Sequence, residues 1–554
     1  MKFKFVLYAG MLAFSTNMMA QDAAPENWFN LDPSRDRVPG VSTEKVYQEI
    51  LKGFSPKKTV VVAVIDSGVD PMHEDLKDVM WVNTDEIPGN GKDDDKNGYI
   101  DDVHGWNFIG GKDGKNISHD NLEITRLVAK YKKQFEGKNP SDLSGKERKL
   151  YEKYKKLEED VKKEAEKGKT NYDKYIGVYE ALVKLKKEFS GKEVTAEKLE
   201  NYETSDPTMQ QAIGIATNAV SNGGSLDGLV EDLKGYTEYL EAKFKYHYNV
   251  DFNPRGIVGD NYNDINEKNY GNNDVKGPDA AHGTHVAGII AAARGNGVGM
   301  EGVANNVRIM SVRAVPDGDE RDKDVANAII YAVDNGASII NMSFGKGYAW
   351  DKEAVDKAVK YAESKDVLLV HAAGNDAKSN DKTDNFPSDK FAKAGFFSKK
   401  RAKNWIEVGA LSWKWGEKAP ATFSNYGSKN VDVFAPGVDI YSTTPDQGYA
   451  SFSGTSMASP VTAGVAAVLR SYFPDLTAEQ VKGIIMDSVV PVHNQVIKPG
   501  TEELVDFSEL SVTGGVVNVY KAVEKAAKTK GKKAGEGRSI TSDDIERAKK
   551  TVTP

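Results

Sequence analysis

The stretch Val60-Val61-Val62-Ala63-Val64-Ile65-Asp66-Ser67-Gly68 decides the fold. Residues 59–65 form an apolar, β-branched run without polar alternation, the pattern of a strand covered on both faces in a parallel sheet. Asp66 stands where the strand ends, and Ser67-Gly68 breaks it. Open α/β sheets carry their sites at the carboxyl ends of strands. Asp66 is therefore either a site carboxylate or a cap of the next turn.

Downstream the pattern repeats. Stretches 305–315, 338–344 and 367–372 read as strands, 325–335 and 354–364 as the helices between them, and 477–488 and 516–528 as closing helices. This alternation predicts an α/β fold with a mostly parallel central sheet flanked by helices. Two further motifs sit at helix starts. His282-Gly283-Thr284-His285-Val286-Ala287-Gly288 opens a small-residue helix over 286–293, and its glycine lets a second backbone come close. In Ser453-Gly454-Thr455-Ser456-Met457-Ala458-Ser459-Pro460, Ser456 begins a helix over 456–470, at its positive end. Taken singly, a polar histidine and an N-cap serine are ordinary, and two histidines and several hydroxyls compete for a role. Taken together, a carboxylate, an imidazole and a hydroxyl follow in the order Asp, His, Ser, unlike chymotrypsin or the α/β-hydrolases. A fourth motif, His371-Ala372-Ala373-Gly374-Asn375-Asp376, reads as strand, glycine turn and exposed amide. Acyl transfer needs such a donor aimed at a developing oxyanion.

With these four motifs the chain resembles the subtilase family of serine proteases. The resemblance implies a subtilisin-like three-layer fold and a serine-type endopeptidase that works through an acyl-enzyme. It assigns the catalytic roles to Asp66, to His282 as base, to Ser456 as nucleophile and to Asn375 as oxyanion donor beside the Ser456 backbone N–H. His285 is then a packing residue. Sedolisin-type relatives carry an acidic residue where Asn375 stands. The resemblance also implies that Ser343, Phe344 and Gly345 line the cleft, where a substrate would pair as an added strand. Ala373 and Gly374, with Ala372, form the opposite pocket wall, and Asn385-Phe386-Pro387 lies near its base. An apolar or aromatic side chain before the cut bond is expected, with a basic preference left open by Asp376 and Asp384. A transpeptidase or peptide ligase on the same fold differs only in the acceptor of the acyl group. A binding protein that has lost the chemistry is a further alternative, disfavoured because all four catalytic positions are filled.

Asp93-Asp94-Asp95-Lys96-Asn97-Gly98-Tyr99-Ile100-Asp101-Asp102 has oxygen ligands at alternate positions and a glycine at the turn. The spacing fits the first half of a calcium loop, but the twelfth position is His104 rather than Glu, so an EF-hand is not supported. Structural calcium is expected here on Asp93, Asp95, Asn97, Asp101 or Asp102 and the Tyr99 carbonyl; a solvated acidic turn is the alternative. By resemblance, a second site takes Asp75 and Asn296.

At 554 residues the chain has room for a large domain and accessories. Its 74 basic and 82 acidic residues give a net charge of −8, with no basic stripe, so nucleic-acid binding is not indicated. There is no cysteine, which excludes disulfides, a thiol nucleophile and a lipid-modified cysteine. Residues 1–20, with Lys2 and Lys4 before an apolar 5–14, read as a signal peptide too short to span a bilayer. With no other membrane-spanning stretch, an exported chain is expected in the periplasm, at the cell surface or outside, acting as a monomer on peptides or proteins. Residues 21–58 form an N-terminal extension, too short for the folding prodomain of many subtilases. The core divides into 59–120 and 250–527 around an insertion, 121–249, rich in Lys, Glu, Leu and Tyr. Apolar residues there recur at three- and four-residue spacing, predicting helices at about 143–167, 170–189, 207–221 and 225–247. A rim that restricts access to the cleft is the expected role; a remote docking surface for a partner, or a spacer with no effect on catalysis, is the alternative. The tail, 528–554, has little apolar content and is expected to be weakly ordered.

Overall fold

A computed structural model describes residues 23–393 and 399–552; the leader, 1–20, lies outside them. Among the described residues two compact units emerge, His119–Asn253 and, together, the described residues up to Ser118 and from Pro254 on. In the larger unit the strands are β1 (Val60–Asp66), β2 (Gly105–Asn107), β3 (Val307–Arg313), β4 (Ile339–Met342), β5 (Leu368–Ala372), β6 (Trp405–Leu411), β7 (Val433–Pro436), β8 (Ile440–Thr444), β9 (Gly448–Phe452), β10 (Val490–Pro491), β11 (Gln495–Ile497), β12 (Leu504–Asp506) and β13 (Gly515–Val516). Nine of them make one sheet in the order β10-β13-β7-β6-β5-β4-β1-β3-β2. Every neighbouring pair is parallel except β10 and β13. Strands β8 and β9 form a separate hairpin, as do β11 and β12. β3 and β2 lie on one side of β1, and β4 to β7 on the other. The reversal of strand order thus falls between β1 and β4, where open α/β sheets open a crevice.

The apolar run of β1 serves both faces. Val60, Val62 and Val64 join one core layer, with the helices Ala281–Ala291 and Thr455–Tyr472. Ala63 and Ile65 join the opposite layer, with the helices Asp322–Asp334 and Lys352–Ser364. Alternate residues of a strand point to opposite faces, so a strand sandwiched between helices needs apolar residues at every position. Each Val or Ile side chain buried this way contributes roughly 1.5–3 kcal/mol. The helix Thr455–Tyr472 is buried along its whole length, which explains its small-residue composition.

The first and last described segments are built into this core. Trp28, Phe29, Val41, Val46 and Ile50 are fully buried, and Trp28 Nε1 donates to the Val438 carbonyl at 3.2 Å. Past Lys528 the chain adds a helix, Ser542–Val552, and buries Ile540 and Ile545.

The smaller unit is helical: Glu123–Phe135, Gly145–Glu188, Ala196–Glu200, Pro207–Ser221 and Leu226–Ala242. The two helices predicted at 143–167 and 170–189 form one helix of 44 residues, started by a capping box between Ser144 and Glu147. Gly168, between the two expected helices, is a crossing point. A Cβ there would lie 3.0 Å from Lys243 Cβ. The entry and exit of the unit are clasped. Asn121 Nδ2 donates to the Asn249 and Phe252 carbonyls, both at 2.8 Å, and Thr125 Oγ1 to the His247 carbonyl at 2.7 Å.

Candidate active site

Two glycines bring the acid and the base together. Gly68 follows the end of β1 with φ 128°, and a Cβ on it would lie 2.1 Å from the Lys276 carbonyl oxygen. Gly283, beside the histidine, has its would-be Cβ 2.1 Å from the Gly68 carbonyl oxygen and 3.1 Å from Asp66 Cβ. Only residues without side chains let the strand end and the helix start approach so closely. Across that contact His282 Nδ1 lies 2.7 Å from Asp66 Oδ1, which also accepts the Ser67 N–H at 2.8 Å. Asp66 is 2% exposed, whereas the His282 side chain is about one-quarter exposed. The carboxylate is therefore shielded while one edge of the imidazole meets solvent.

Ser456 is the second residue of its helix, where a backbone N–H has no intrahelical acceptor. Its hydroxyl donates to the Ser343 carbonyl at 3.1 Å, and no hydrogen bond to His282 is among the described contacts. In return Ser343 Oγ donates to the Ser456 carbonyl at 2.8 Å. Asn375 follows the glycine turn after β5. Its carboxamide oxygen accepts both the Thr455 N–H, at 2.8 Å, and the Thr455 hydroxyl, at 2.9 Å. With Oδ1 committed twice, the amide NH2 is the group left to donate. Thr455 thus orients the candidate oxyanion donor, a role that residue type and spacing alone do not signal.

The other histidine, His285, is fully buried. It stacks on Phe452 at 4.3 Å, and its Nε2 contacts the carbonyls of Ile440 at 2.9 Å and Ala450 at 3.0 Å. Burial pushes its pKa down to about 3, so it stays neutral. Ser343, Phe344 and Gly345 follow β4, and Ala373 and Gly374 follow β5, the next strand in the sheet. Asn385 reaches from one segment to the other. Its Nδ2 donates to the Ala372 and Ala373 carbonyls at 3.2 and 3.1 Å, and a Cβ on Gly345 would lie 2.5 Å from its Oδ1.

In the acidic loop, Glu86, Asp95 and Asp102 bring carboxylate oxygens within 4.8 Å of one another. Asn83 and Asn97 donate to both Asp95 and Asp102. Asp102 is fully buried, and desolvation pushes its pKa up to about 6. Three converging carboxylates, two of them buried, offer oxygen donors of the kind that suit a hard cation. Asp93 and Asp101 take a different part. Asp93 accepts the N–H groups of Asn97 and Gly98, and Asp101 those of Asn90 and Gly91. The Tyr99 ring packs on Trp106 and Tyr331. Glu86 and Asn83 escaped the sequence reading because they precede the alternating pattern. Asp75 and Asn296 also meet, Asn296 Nδ2 donating to Asp75 Oδ1 at 2.7 Å, with the Met300 N–H on Oδ2 at 3.1 Å.

The chain belongs to the subtilase family, whose model matches residues 57–520. It is 45% identical over 191 residues to a thermophilic serine proteinase of Bacillus sp. (strain AK1), covering 34% of this chain and 42% of that protein. It is 39% identical over 205 residues to subtilisin DY of Bacillus licheniformis, covering 36% of this chain and 67% of that protein. The match thus spans less than half the length of the first relative. A solved protease structure from Pseudoalteromonas arctica aligns over 90% of this chain and 97% of its own, with a TM-score of 0.45 and 19% identity. Among the described residues, no helix is long and apolar enough to cross a membrane.

Proposed function

We propose that this protein is an exported serine endopeptidase that cuts peptide bonds through Asp66, His282, Ser456 and Asn375. The observation that carries this reading is the 2.7 Å contact between His282 Nδ1 and buried Asp66 Oδ1. That contact keeps the proton on Nδ1, leaving Nε2 as the basic nitrogen. When substrate enters, the Ser456 hydroxyl gives up the Ser343 carbonyl for His282 Nε2 and attacks the peptide carbonyl carbon. His282 takes the hydroxyl proton and then hands it to the leaving amine. Asp66 stabilises the imidazolium formed in between. The oxyanion is held by the Asn375 amide and the Ser456 N–H, and water, deprotonated by His282, releases the acyl group. The charged start and apolar centre of residues 1–20 support export. Glu86, Asp95 and Asp102 are the residues that would hold a structural calcium ion, whose part would be to neutralise their charge.

The test is covalent labelling. A fluorophosphonate probe is expected to modify the wild-type protein at one site and to leave Ser456→Ala untouched. Equal labelling of both, or none of either, would reject the assignment.

A further inference from the structure

We infer that Arg313 is a positioning residue for the proposed acid–base pair: its buried guanidinium ties the chain after Asp66 to the loop that leads to His282, and sets a fixed positive charge behind them. This inference rests on the proteolytic reading above.

Arg313 ends β3 and stands beside Asp66 in the parallel register. Val60 and Val62 of β1 share a core layer with their partners Val307 and Ile309. Alternation along the two strands puts Asp66 and Arg313 on that same face. Arg313 is 2% exposed there. Among the described residues its hydrogen-bond partners are all neutral. Nε donates to the Ser67 carbonyl at 2.8 Å, Nη1 to Asn107 Oδ1 at 3.1 Å and Nη2 to the Ile117 carbonyl at 2.6 Å. Burial pushes its pKa down to about 10, with Asp274 and Asp279 acting the other way, so it stays charged at neutral pH. A buried cation without a contacting anion is costly, and an apolar side chain would fill the space without that cost. What an apolar side chain could not do is hold three segments at once.

Those bonds reach both members of the pair. Ser67 is held at each end: its N–H donates to Asp66 Oδ1 at 2.8 Å, and its carbonyl accepts Arg313 Nε. The chain before His282 is wound round the guanidinium. Asn107 passes its own NH2 to Asn116 Oδ1 at 2.7 Å, and Asn116 Nδ2 donates to Asp274 Oδ2 at 2.6 Å. Asp274 Oδ1 in turn accepts the Gly277 N–H at 2.9 Å. Gly277 lies against the guanidinium, so closely that a Cβ on it would overlap Arg313 Nε. The circuit thus closes on Arg313, shortly before His282. The Val69 N–H donates to the Val275 carbonyl at 2.9 Å, which joins the loop to the strand end once more.

The charge acts with a definite sign. A fixed cation opposes the imidazolium that His282 becomes during the reaction. The other charged groups around Arg313 and His282 are Asp66, Asp274 and Asp279. His285 is neutral, and Lys276 is paired with Asp70 and Asp446. Without Arg313 the surroundings are negative and favour the imidazolium, which is inactive as a base.

The experiment is kinetic, on the full chain with one internally quenched peptide that the wild type cuts. Arg313→Met fills the space without the charge or the three donors. It is expected to lower kcat by about tenfold or more at unchanged KM. It is also expected to move the acidic limb of the kcat/KM profile up by about half a pH unit or more. Arg313→Lys keeps the charge and loses the fork, so kcat falls and the limb stays in place. The lysine variant carries the test if circular dichroism shows that the methionine variant does not fold. Wild-type kcat in either folded variant, or an unmoved limb in a folded methionine variant, overturns the inference. Lost stability alone would change the folded fraction, but neither kcat per active site nor the limb. Fluorophosphonate titration counts the active sites and separates the two readings. A labelled wild type whose variants behave like it sinks only the Arg313 assignment, whereas an unlabelled wild type that cuts nothing sinks the protease.

Discussion

Pro460 has no N–H to give, and the helical acceptor it would have served is the carbonyl of Ser456, four residues back. Ser343 Oγ supplies the missing donor at 2.8 Å, backed by Asn341 Nδ2 at 2.9 Å, while Asn341 Oδ1 accepts Ser459 Oγ at 2.8 Å. A helix defect is thus used to anchor the first turn of the serine helix to the end of β4. In Ser343→Ala the buried Ser456 carbonyl loses that donor, which costs about 1–3 kcal/mol. The expected outcome is a lower melting temperature together with slower fluorophosphonate labelling; labelling at the wild-type rate would show that the anchor does not position the nucleophile. Glu320 gives a second forecast. Burial pushes its pKa up to about 8, with Lys346 pulling the other way. The folded protein then holds this proton more tightly than the unfolded chain. Its contribution to stability is full below the ordinary glutamate range and is lost as pH rises through about 8. Denaturant titrations between those limits should show wild-type stability falling with pH, and Glu320→Gln should flatten the slope.

At the scale of elements, the site depends on how closely β1 and the helix Ala281–Ala291 approach, and on what buttresses them from behind. Part of the buttress comes from the N-terminal segment. Besides Trp28, Asn30 Nδ2 donates to the Glu301 carbonyl at 2.9 Å, and Ser42 bridges Asp32, at 2.8 Å, and Asn518, at 2.7 Å. The Val519 N–H donates to the Val41 carbonyl, joining this segment to the helix Val519–Lys528. The segment contributes fully buried aromatics to the main core. Trp28→Ala is therefore expected to destabilise the protein by about 3–5 kcal/mol, the usual penalty of an emptied tryptophan site. Chemical denaturation of the two proteins measures it. A change below about 1 kcal/mol would mean that the segment only lies on the surface of the core.

For the whole molecule, calcium is the external variable to test, because the chain has no cysteine and brings three carboxylates together in one loop. Chelation is expected to lower the unfolding midpoint and added calcium to restore it. At a hundredfold excess over Kd the linkage amounts to about 2.7 kcal/mol. Asp95→Asn should abolish the response, and an unchanged midpoint on chelation would leave the loop as a hydrogen-bonded turn. The parallel sheet, the helices between its strands and the separation of the helical insertion were legible in the sequence. Each rests on periodicity and side-chain branching, which are local properties. The candidate triad was legible because each member sits at a chain reversal marked by glycine or a helix start. Other features depended on groups distant in sequence. The continuity of Gly145–Glu188 needed the neighbouring helix at which Gly168 makes its crossing. The orientation of Asn375 needed Thr455, and the convergence of Glu86 with Asp95 and Asp102 needed the folded loop. The position of Asn385 between two segments needed the register of β4 and β5. Hydrogen-bond partners at long separation leave no periodic trace in a sequence, so only the tertiary structure could decide them.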